Sequence, residues 1–508
     1  SYNLFIIKAF TTVAINWSKY YMSKNNGKQF LEGDLLGSQH MTEQEEEKLQ
    51  RSLTNRHIQM IAIGGAIGTG LFMGSGKTLS VSGTSIVLTY LIIGFFFFFV
   101  MRAMGELLLA NTNFKTFADF ATAYLGPWAG FFLGWSYWCN WIITAIADVI
   151  VIGGYMQFWY PDLPVWIPAF TSLAILTILN FVAVRLFGEL EFWFSLIKIT
   201  AIILFILAGI YLIGTGFTSP NGVKASMSHL FETESMFPYG VTGFLAGFQI
   251  AIFAFVGIEL VGTTAAETKD PHTSLPKAIN SIPLRILLFY VGALVCIIAV
   301  TSWAKVSPEK SPFVEMFTLV GLPIAAGLIN FVVATSALSS ANSGIFATSR
   351  MLYGLALDND APKSFSKLSK RKVPIRGLVF SMACVTVGTS ILFIVPNVMT
   401  AFTIISALTS ILCIFTFMLI VLSYIYYRKK SPELHIQSKY KMPGGLFMAW
   451  MTMLFLVFTI VILALDHDTL IALECSPIWF IGLFIAYKYK KKKMLQLDIL
   501  KAQKVDYI

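Results

Sequence analysis

Apolar runs of about twenty residues recur along this chain from residue 57 to residue 487, separated by short polar stretches. A helix crossing the hydrocarbon core of a bilayer needs about 20 largely apolar residues. Twelve stretches meet that need: 57–76, 82–104, 128–159, 164–184, 190–214, 240–264, 284–303, 322–355, 377–395, 398–426, 446–466 and 470–487. The third and eighth are long enough to tilt strongly or to run beyond the bilayer. Hydrophobic residues make up 56% of the chain and charged residues 13%, about half the charged share of a soluble domain. No soluble core absorbs that much apolar surface. The expected fold is an all-α, polytopic membrane protein.

Charge then sets orientation. The net charge is +10, but the cations sit between apolar runs rather than in a stripe interleaved with aromatics, so topology and anionic lipid explain them better than nucleic acid. With the N-terminus inside, the outer loops hold Lys77, Lys224, Lys305 and Lys310. The inner loops hold Lys115, Arg185, Lys269, Lys277, then Lys363, Lys367, Lys370, Arg371, Lys372 and Arg376, and the tail holds Lys488 and Lys490 to Lys493. Positive-inside bias therefore puts both termini in the cytoplasm. Cys139, Cys296, Cys384, Cys413 and Cys475 have no metal or redox spacing and read as small hydrophobes. Met22 followed by Ser23-Lys24-Asn25 looks like a natural start, and residues 1–21 carry no signal-peptide layout and are given no function.

The first span reads Ile61-Ala62-Ile63-Gly64-Gly65-Ala66-Ile67-Gly68-Thr69-Gly70-Leu71-Phe72. Each glycine costs a helix about 1 kcal/mol relative to alanine. An unwound stretch survives at membrane depth only against protein or a wet cavity. One reading is a discontinuous helix whose free N–H groups receive a substrate carboxylate; the other is close helix packing through small residues. The glycines point several ways, which favours the first. The sixth span offers a partner in Phe253-Ala254-Phe255-Val256-Gly257-Ile258-Glu259. It is the first span displaced by five, and five is odd, so the two halves are inverted. Carbonyls freed there would face an ammonium group.

Ionisable groups inside the bilayer need partners or a use. Lys198 lies nine residues into span five, at about the depth of the Gly64–Gly70 break at 1.5 Å per residue. It supplies a fixed positive charge, releases a proton, or snorkels to the interface. Glu259 is read as a protonatable or gating carboxylate, with permanent bonding to loose backbone as the alternative. Asp148 either faces the pathway or balances a partner. Glu106 stands four residues after Arg102, the spacing of a local ion pair. Glu267, Lys269 and Asp270 open an inner loop as gating contacts or a solvated face. Trp135, Tyr137, Trp138 and Trp141 read as an interfacial belt rather than a cation cage. Ser339 and Ser340 either glue helices together or line the Lys198 site. Nucleotide-binding, nucleophile-elbow and zinc-helix motifs are missing, as are channel filter repeats, so the chain does not read as an enzyme, an ATP-driven pump or a channel.

Gly64-Gly65-Ala66-Ile67-Gly68-Thr69-Gly70, Met104-Gly105-Glu106-Leu107 and Phe192-Trp193-Phe194-Ser195-Leu196-Ile197-Lys198 resemble the amino acid transporter family of the amino acid–polyamine–organocation superfamily. So does the run from Gly247-Phe248-Gln249 through Gly257-Ile258-Glu259-Leu260 to Asp270-Pro271, and the resemblance extends over about residues 50–487. Arg56-His57-Ile58-Gln59, Gly262-Thr263-Thr264, Ala278-Ile279-Asn280-Ser281-Ile282-Pro283 and Glu309-Lys310-Ser311-Pro312 resemble the branch that takes D-serine, D-alanine and glycine. Siblings for aromatic or basic amino acids, asparagine and GABA share much of the scaffold.

The resemblance implies twelve transmembrane helices in a LeuT-type arrangement, with spans one to five and six to ten as inverted repeats and helices 1 and 6 discontinuous. Residues 1–50 are then a cytoplasmic segment, 51–426 the transport core, 427–487 the peripheral helices 11 and 12, and 488–508 a basic cytoplasmic tail. Gly68, Thr69 and Gly70 face the substrate carboxylate, and Ala66, Phe253, Ala254 and Val256 surround the ammonium, with Phe253 as a gate. Lys198 stands where sodium-driven relatives bind an ion, and Glu259 takes part in coupling or gating, a role Asp148 shares as a candidate. The implied activity is proton-coupled import of a small zwitterionic amino acid across the bacterial inner membrane. No cofactor beyond the proton, no nucleic acid and no obligate protein partner is expected. A permease for another amino acid, an exchanger and a membrane sensor without transport are the alternatives.

Overall fold

The computed structural model describes residues 53–505, apart from 115, 182–183, 233–235, 266–267, 396 and 466. The N-terminal segment 1–50, with Met22, lies outside the described residues, as does Glu267. All elements among them are helical, with only isolated bridges joining Leu53 to Thr268 and Thr218 to Lys224. In chain order they are α1 (Asn55–Ala66), α2 (Ser75–Ser82), α3 (Ile86–Ala110), α4 (Phe117–Leu125), α5 (Pro127–Met156), α6 (Trp166–Asn180) and α7 (Val184–Gly214). Then come α8 (Gly240–Ala251), α9 (Leu260–Thr263), α10 (Pro271–Asn280), α11 (Ile282–Arg285), α12 (Ala293–Thr301), α13 (Pro312–Leu319) and α14 (Pro323–Leu357). The last five are α15 (Ile375–Thr389), α16 (Val398–Lys430), α17 (Pro432–Gln437), α18 (Gly445–Leu463) and α19 (His467–Val505). Residues 51–473 form one compact unit; the rest of α19, from Glu474, belongs to a second and is described only as a helix.

Ten helical runs among the described residues are long and apolar enough to cross a membrane. The first, Asn55–Ala110, has 56 residues, about 84 Å if straight at 1.5 Å per residue. One crossing needs about 30 Å. It is divided at Gly83, whose φ of 59° ends α2 and redirects the chain. The sequence puts two spans in this run. In place of the span expected at 164–184 stands α6, with 15 residues, about 22 Å of helix, because Pro164 and the Asn180–Phe181 end shorten its regular part. The long third and eighth spans are α5, with 30 residues, and α14, with 35. These two pack more extensively on each other than any other pair, and α16 lies against α5 almost as closely.

The outer surface identifies the solvent. On α7, Trp193, Leu204, Leu207, Ile210 and Tyr211 are 55–69% exposed, while Glu191, Ser195 and Lys198 on its other face are buried. That polarity is the reverse of a soluble helix, and exposed apolar surface of this extent belongs against lipid. Ends are set locally. Thr116 caps α4 by accepting a bond from the Ala118 N–H at 3.3 Å, Gly126 stops it at φ 107°, and Pro127 opens α5. Asn397 caps α16 through the Thr400 N–H at 2.8 Å, and Arg428, Lys429 and Lys430 complement its C-terminal dipole.

Candidate functional site

Two backbone breaks meet in the interior. After Ala66 the chain leaves helical geometry at Ile67 (φ −93°, ψ 86°) and re-enters at Gly70 as a π-helical turn, Gly70–Gly74. The other break follows α8: a 3-10 turn at Ile252–Phe255, extended Val256 (φ −61°, ψ 130°), then Gly257 at φ 107°, where only glycine is unstrained. The missing side chain of Gly70 lets the two touch. A methyl group built there falls 2.5 Å from Cα of Ala254 and 2.7 Å from the carbonyl oxygen of Phe253. One on Gly65 falls 3.3 Å from the Gly257 carbonyl, one on Gly68 3.3 Å from Ser340 Oγ, and one on Gly64 1.7 Å from Ser195 Oγ. The four glycines thus face three different neighbours at close range, so packing and unwinding occur in the same segment.

Several backbone groups released by the breaks are claimed. Lys198 Nζ donates to the Gly64 carbonyl at 2.9 Å, Ser336 Oγ to that of Ile67 at 2.9 Å, and Tyr290 Oη to that of Ala254 at 2.9 Å. Glu259 Oε2 accepts the Gly257 N–H at 2.9 Å, and its Oε1 accepts from Tyr137 at 3.3 Å and Trp141 at 3.2 Å. Phe72 makes the first backbone bond of the restarted helix, to the Gly68 carbonyl at 3.2 Å. Thr69, Gly70 and Leu71 precede it, the first-turn N–H groups that a helix leaves without internal partners. Thr69, Phe253, Ala254 and Val256 are all buried, and the Phe253 ring stands edge-on to Phe402 at 5.4 Å.

Three fully buried ionisable groups surround the α1 end. Asp148 Oδ1 accepts from Thr69 Oγ1 at 2.5 Å. Lys198 interacts electrostatically with both Asp148 and Glu191. Glu191 accepts from Ser339 Oγ at 2.9 Å and Asn342 Nδ2 at 3.0 Å, while Asn342 Oδ1 accepts from Asn180 at 2.7 Å. Glu191 is absent from the residues singled out in the sequence, although a signal was there: it precedes Lys198 by seven residues, two turns along one helix face. Ser339 serves Glu191, and Ser340 adjoins Gly68.

At the other end of α1, Arg56 pairs closely with Glu189 and stacks on Phe192 at 5.3 Å, and His57 Nε2 reaches the same carboxylate at 3.1 Å. The Lys269 N–H donates to the Leu53 carbonyl at 3.2 Å, the Asp270 carbonyl starts α10, and Gln59 donates to the Ser274 carbonyl at 3.0 Å. Two expectations need correction. Glu106 does not pair with Arg102; it accepts from the Met442 N–H at 2.7 Å and meets His435 Nδ1 at 2.5 Å. Arg102 instead lies 3.9 Å over the Tyr440 ring and bonds Asn280 and the Lys441 carbonyl. The four aromatics of α5 form no interfacial belt: all are buried, Trp135 donating to the Asp360 carbonyl and Trp138 to Ser381, both at 3.0 Å.

Comparison with known proteins gives the family of the chain. The amino acid permease family model matches residues 57–499. The D-serine/D-alanine/glycine transporter of Escherichia coli (strain K12) is 58% identical over 448 residues, 88% of this chain and 95% of that protein. An amino-acid permease of Bacillus subtilis is 49% identical over 449 residues, 88% of this chain and 96% of its own. An Escherichia coli aromatic amino acid transport protein is 37% identical over 452 residues, 89% of this chain and 98% of its own. The chain belongs to the amino acid permease family and is a membrane transport protein, not an enzyme.

Proposed function

We propose that this permease is a proton-coupled symporter that imports D-alanine, D-serine and glycine by alternating access. The observation that carries the reading is the direct contact of the two backbone breaks, Gly68–Gly70 against Phe253–Val256. A zwitterionic amino acid presents a carboxylate and an ammonium on one carbon. The first-turn N–H groups at Thr69–Leu71 suit the carboxylate, with the helix dipole in support. The Phe253 and Ala254 carbonyls each accept one bond already and keep a second lone pair for an ammonium, with Val256 beside them and Ala66 counted in the same pocket on the family resemblance. The choice of D-alanine, D-serine and glycine leans on the Escherichia coli relative, which is 58% identical over nearly its whole length.

In this reading α1–α2 and α8–α9 are the broken helices of two inverted five-helix repeats, and α18 and α19 are peripheral, for twelve crossings in the bacterial inner membrane. Residues 51–426 are the transport core, 427–487 the peripheral pair and 488–508 the basic tail. Both termini are cytoplasmic. The Arg56–Glu189 contact then seals the cytoplasmic side and must part for release. Lys198 ties α7 to the Gly64 carbonyl as a fixed charge where sodium-driven relatives hold an ion. Glu259 keeps the second break open by holding Gly257, and Phe253 gates the site.

The test is uptake of labelled D-alanine, D-serine and glycine into proteoliposomes with and without an inward proton gradient, competed by L-phenylalanine, L-lysine, L-asparagine and GABA. Gradient-dependent accumulation blocked chiefly by D-alanine and D-serine is expected. Accumulation of another amino acid keeps the mechanism and moves the substrate. Uptake of none refutes the reading.

A further inference from the structure

Of the three ionisable groups buried round the α1 break, two are matched and one is not. Glu191 accepts two hydrogen bonds, from Ser339 and Asn342, and lies in the field of Lys198, which itself donates to the Gly64 carbonyl. Asp148 has one donor in full hydrogen-bond geometry, Thr69 Oγ1 at 2.5 Å. Its second oxygen, Oδ2, is buried and accepts no bond of that geometry, and the Ser340 hydroxyl stands near the carboxyl as a second, weaker donor. The groups that act on Asp148 are Thr69, Ser340 of α14, Lys198 of α7 and Tyr155 of its own helix; Glu191 reaches it through Lys198. With all three charged, the set carries two negative charges and one positive.

We propose that Asp148 carries the coupling proton, and that the substrate's own carboxylate enforces its protonation because both carboxyl groups meet at Thr69. This rests on the reading of Gly68–Gly70 as the carboxylate site. Two carboxylates sharing a buried site cannot both ionise; in the paired carboxylates of aspartic proteases the two steps lie about 3 units apart, a factor on the order of a thousand in proton affinity. A substrate carboxylate at Thr69 is therefore admitted only when Asp148 is neutral. Outside, a proton passes from water to Asp148 and the zwitterion binds. Inside, the zwitterion leaves and Asp148 returns its proton to cytoplasmic water. No other bond forms or breaks, and one proton accompanies each amino acid.

The experiment has two arms. Purified wild-type protein in weakly buffered solution at pH 8 is mixed with saturating D-alanine and a pH indicator. Uptake of about one proton per bound substrate is expected, and binding without proton uptake overturns the proposal while leaving the substrate assignment intact. Binding of none of D-alanine, D-serine or glycine overturns both. In proteoliposomes, Asp148→Asn is expected to keep D-alanine exchange, to lose gradient-driven accumulation, and to lose the roughly tenfold fall in apparent affinity per pH unit seen above the wild-type transition. Asp148→Glu restores coupling. An Asp148→Asn protein that accumulates D-alanine like the wild type refutes the assignment. If that variant does not exchange, the wild-type proton count decides alone.

Discussion

Gly70→Ala puts the contact of the two breaks to a direct test. The added methyl group starts 2.5 Å from Cα of Ala254, 2.7 Å from its nitrogen and 2.7 Å from the Phe253 oxygen, where ordinary contact begins at 3.4 Å. The breaks must separate by about 0.9 Å, and because every obstructing atom is backbone, no rotamer change relieves it. Overpacking of this kind costs roughly 1–3 kcal/mol, or about 5- to 150-fold in whatever equilibrium it opposes. In the proposed function it opposes the geometry that sets donors and carbonyls across one amino acid, so KM for D-alanine should rise by that factor while the protein still inserts and elutes as a single species. Gly64→Ala is the comparison: its clash is with Ser195 Oγ and Cβ, at 1.7 and 2.6 Å. Adding Ser195→Gly removes both atoms and should recover most of the loss, less about 1 kcal/mol for a glycine in a helix. Gly214→Ala, with nothing within 4 Å, controls for the methyl group itself. Wild-type KM and rate in Gly70→Ala, measured by initial uptake in proteoliposomes, would show that transport does not depend on this contact.

Thr69→Leu should abolish D-alanine binding and uptake together while Thr69→Ser retains both, as equilibrium binding to purified protein reads out. Lys198→Met should lose proton-driven accumulation and, by removing the positive charge that acts on buried Glu191, lower thermal stability; adding Glu191→Gln should restore thermal stability but not accumulation. Arg56→Ala removes a pair whose side chains are 57% and 30% exposed, worth about 0–1 kcal/mol, so it should raise cysteine-labelling access from the cytoplasmic side less than about fivefold. Glu106→Ala leaves the Met442 N–H and His435 without their acceptor and should lower the melting temperature with KM for D-alanine unchanged.

Most of the apolar helices were legible because membrane crossing imposes a length and polarity that no local packing overrides, and α5 and α14 came out long for that reason, whereas ten membrane-length runs stand among the described residues against twelve expected stretches and α6 has only 15 residues. The break in the first span was legible because four glycines in seven residues leave few alternatives. Pairing was less so. The Arg102–Glu106 spacing obeys a local helix rule, yet Glu106 takes its partner from 329 residues away, because a fully buried carboxylate takes whatever donors the tertiary structure brings. Glu191 sits at the very start of an apolar run, where a charge reads as an ordinary interfacial residue. Only the seven-residue step to Lys198 marks it as inward-facing. The aromatics of α5 misled for the opposite reason: a helix buried on nearly every side has no interface at which to anchor.

Close packing and unwinding, set against each other as readings of the Gly64–Gly70 segment, turn out to require one another. Broken backbone inside a bilayer is tolerable only where protein supplies partners for the released groups. Those partners reach it only if neighbouring helices come within contact distance. Gly64 admits α7, and α7 brings Lys198 to the Gly64 carbonyl. Gly68 admits α14, which carries Ser336 to the Ile67 carbonyl and Ser340 to the Asp148 side. Gly70 and Gly65 admit the second break itself. Larger side chains at these positions would push away the groups that make the break affordable, and the segment would either rewind or fail to insert. The same approach sets the first-turn N–H groups of Thr69–Leu71 beside Asp148, whose carboxylate takes the Thr69 hydroxyl. In the proposed function, a site built this way reads the carboxylate and ammonium of its substrate before the side chain, which is what an amino acid permease requires.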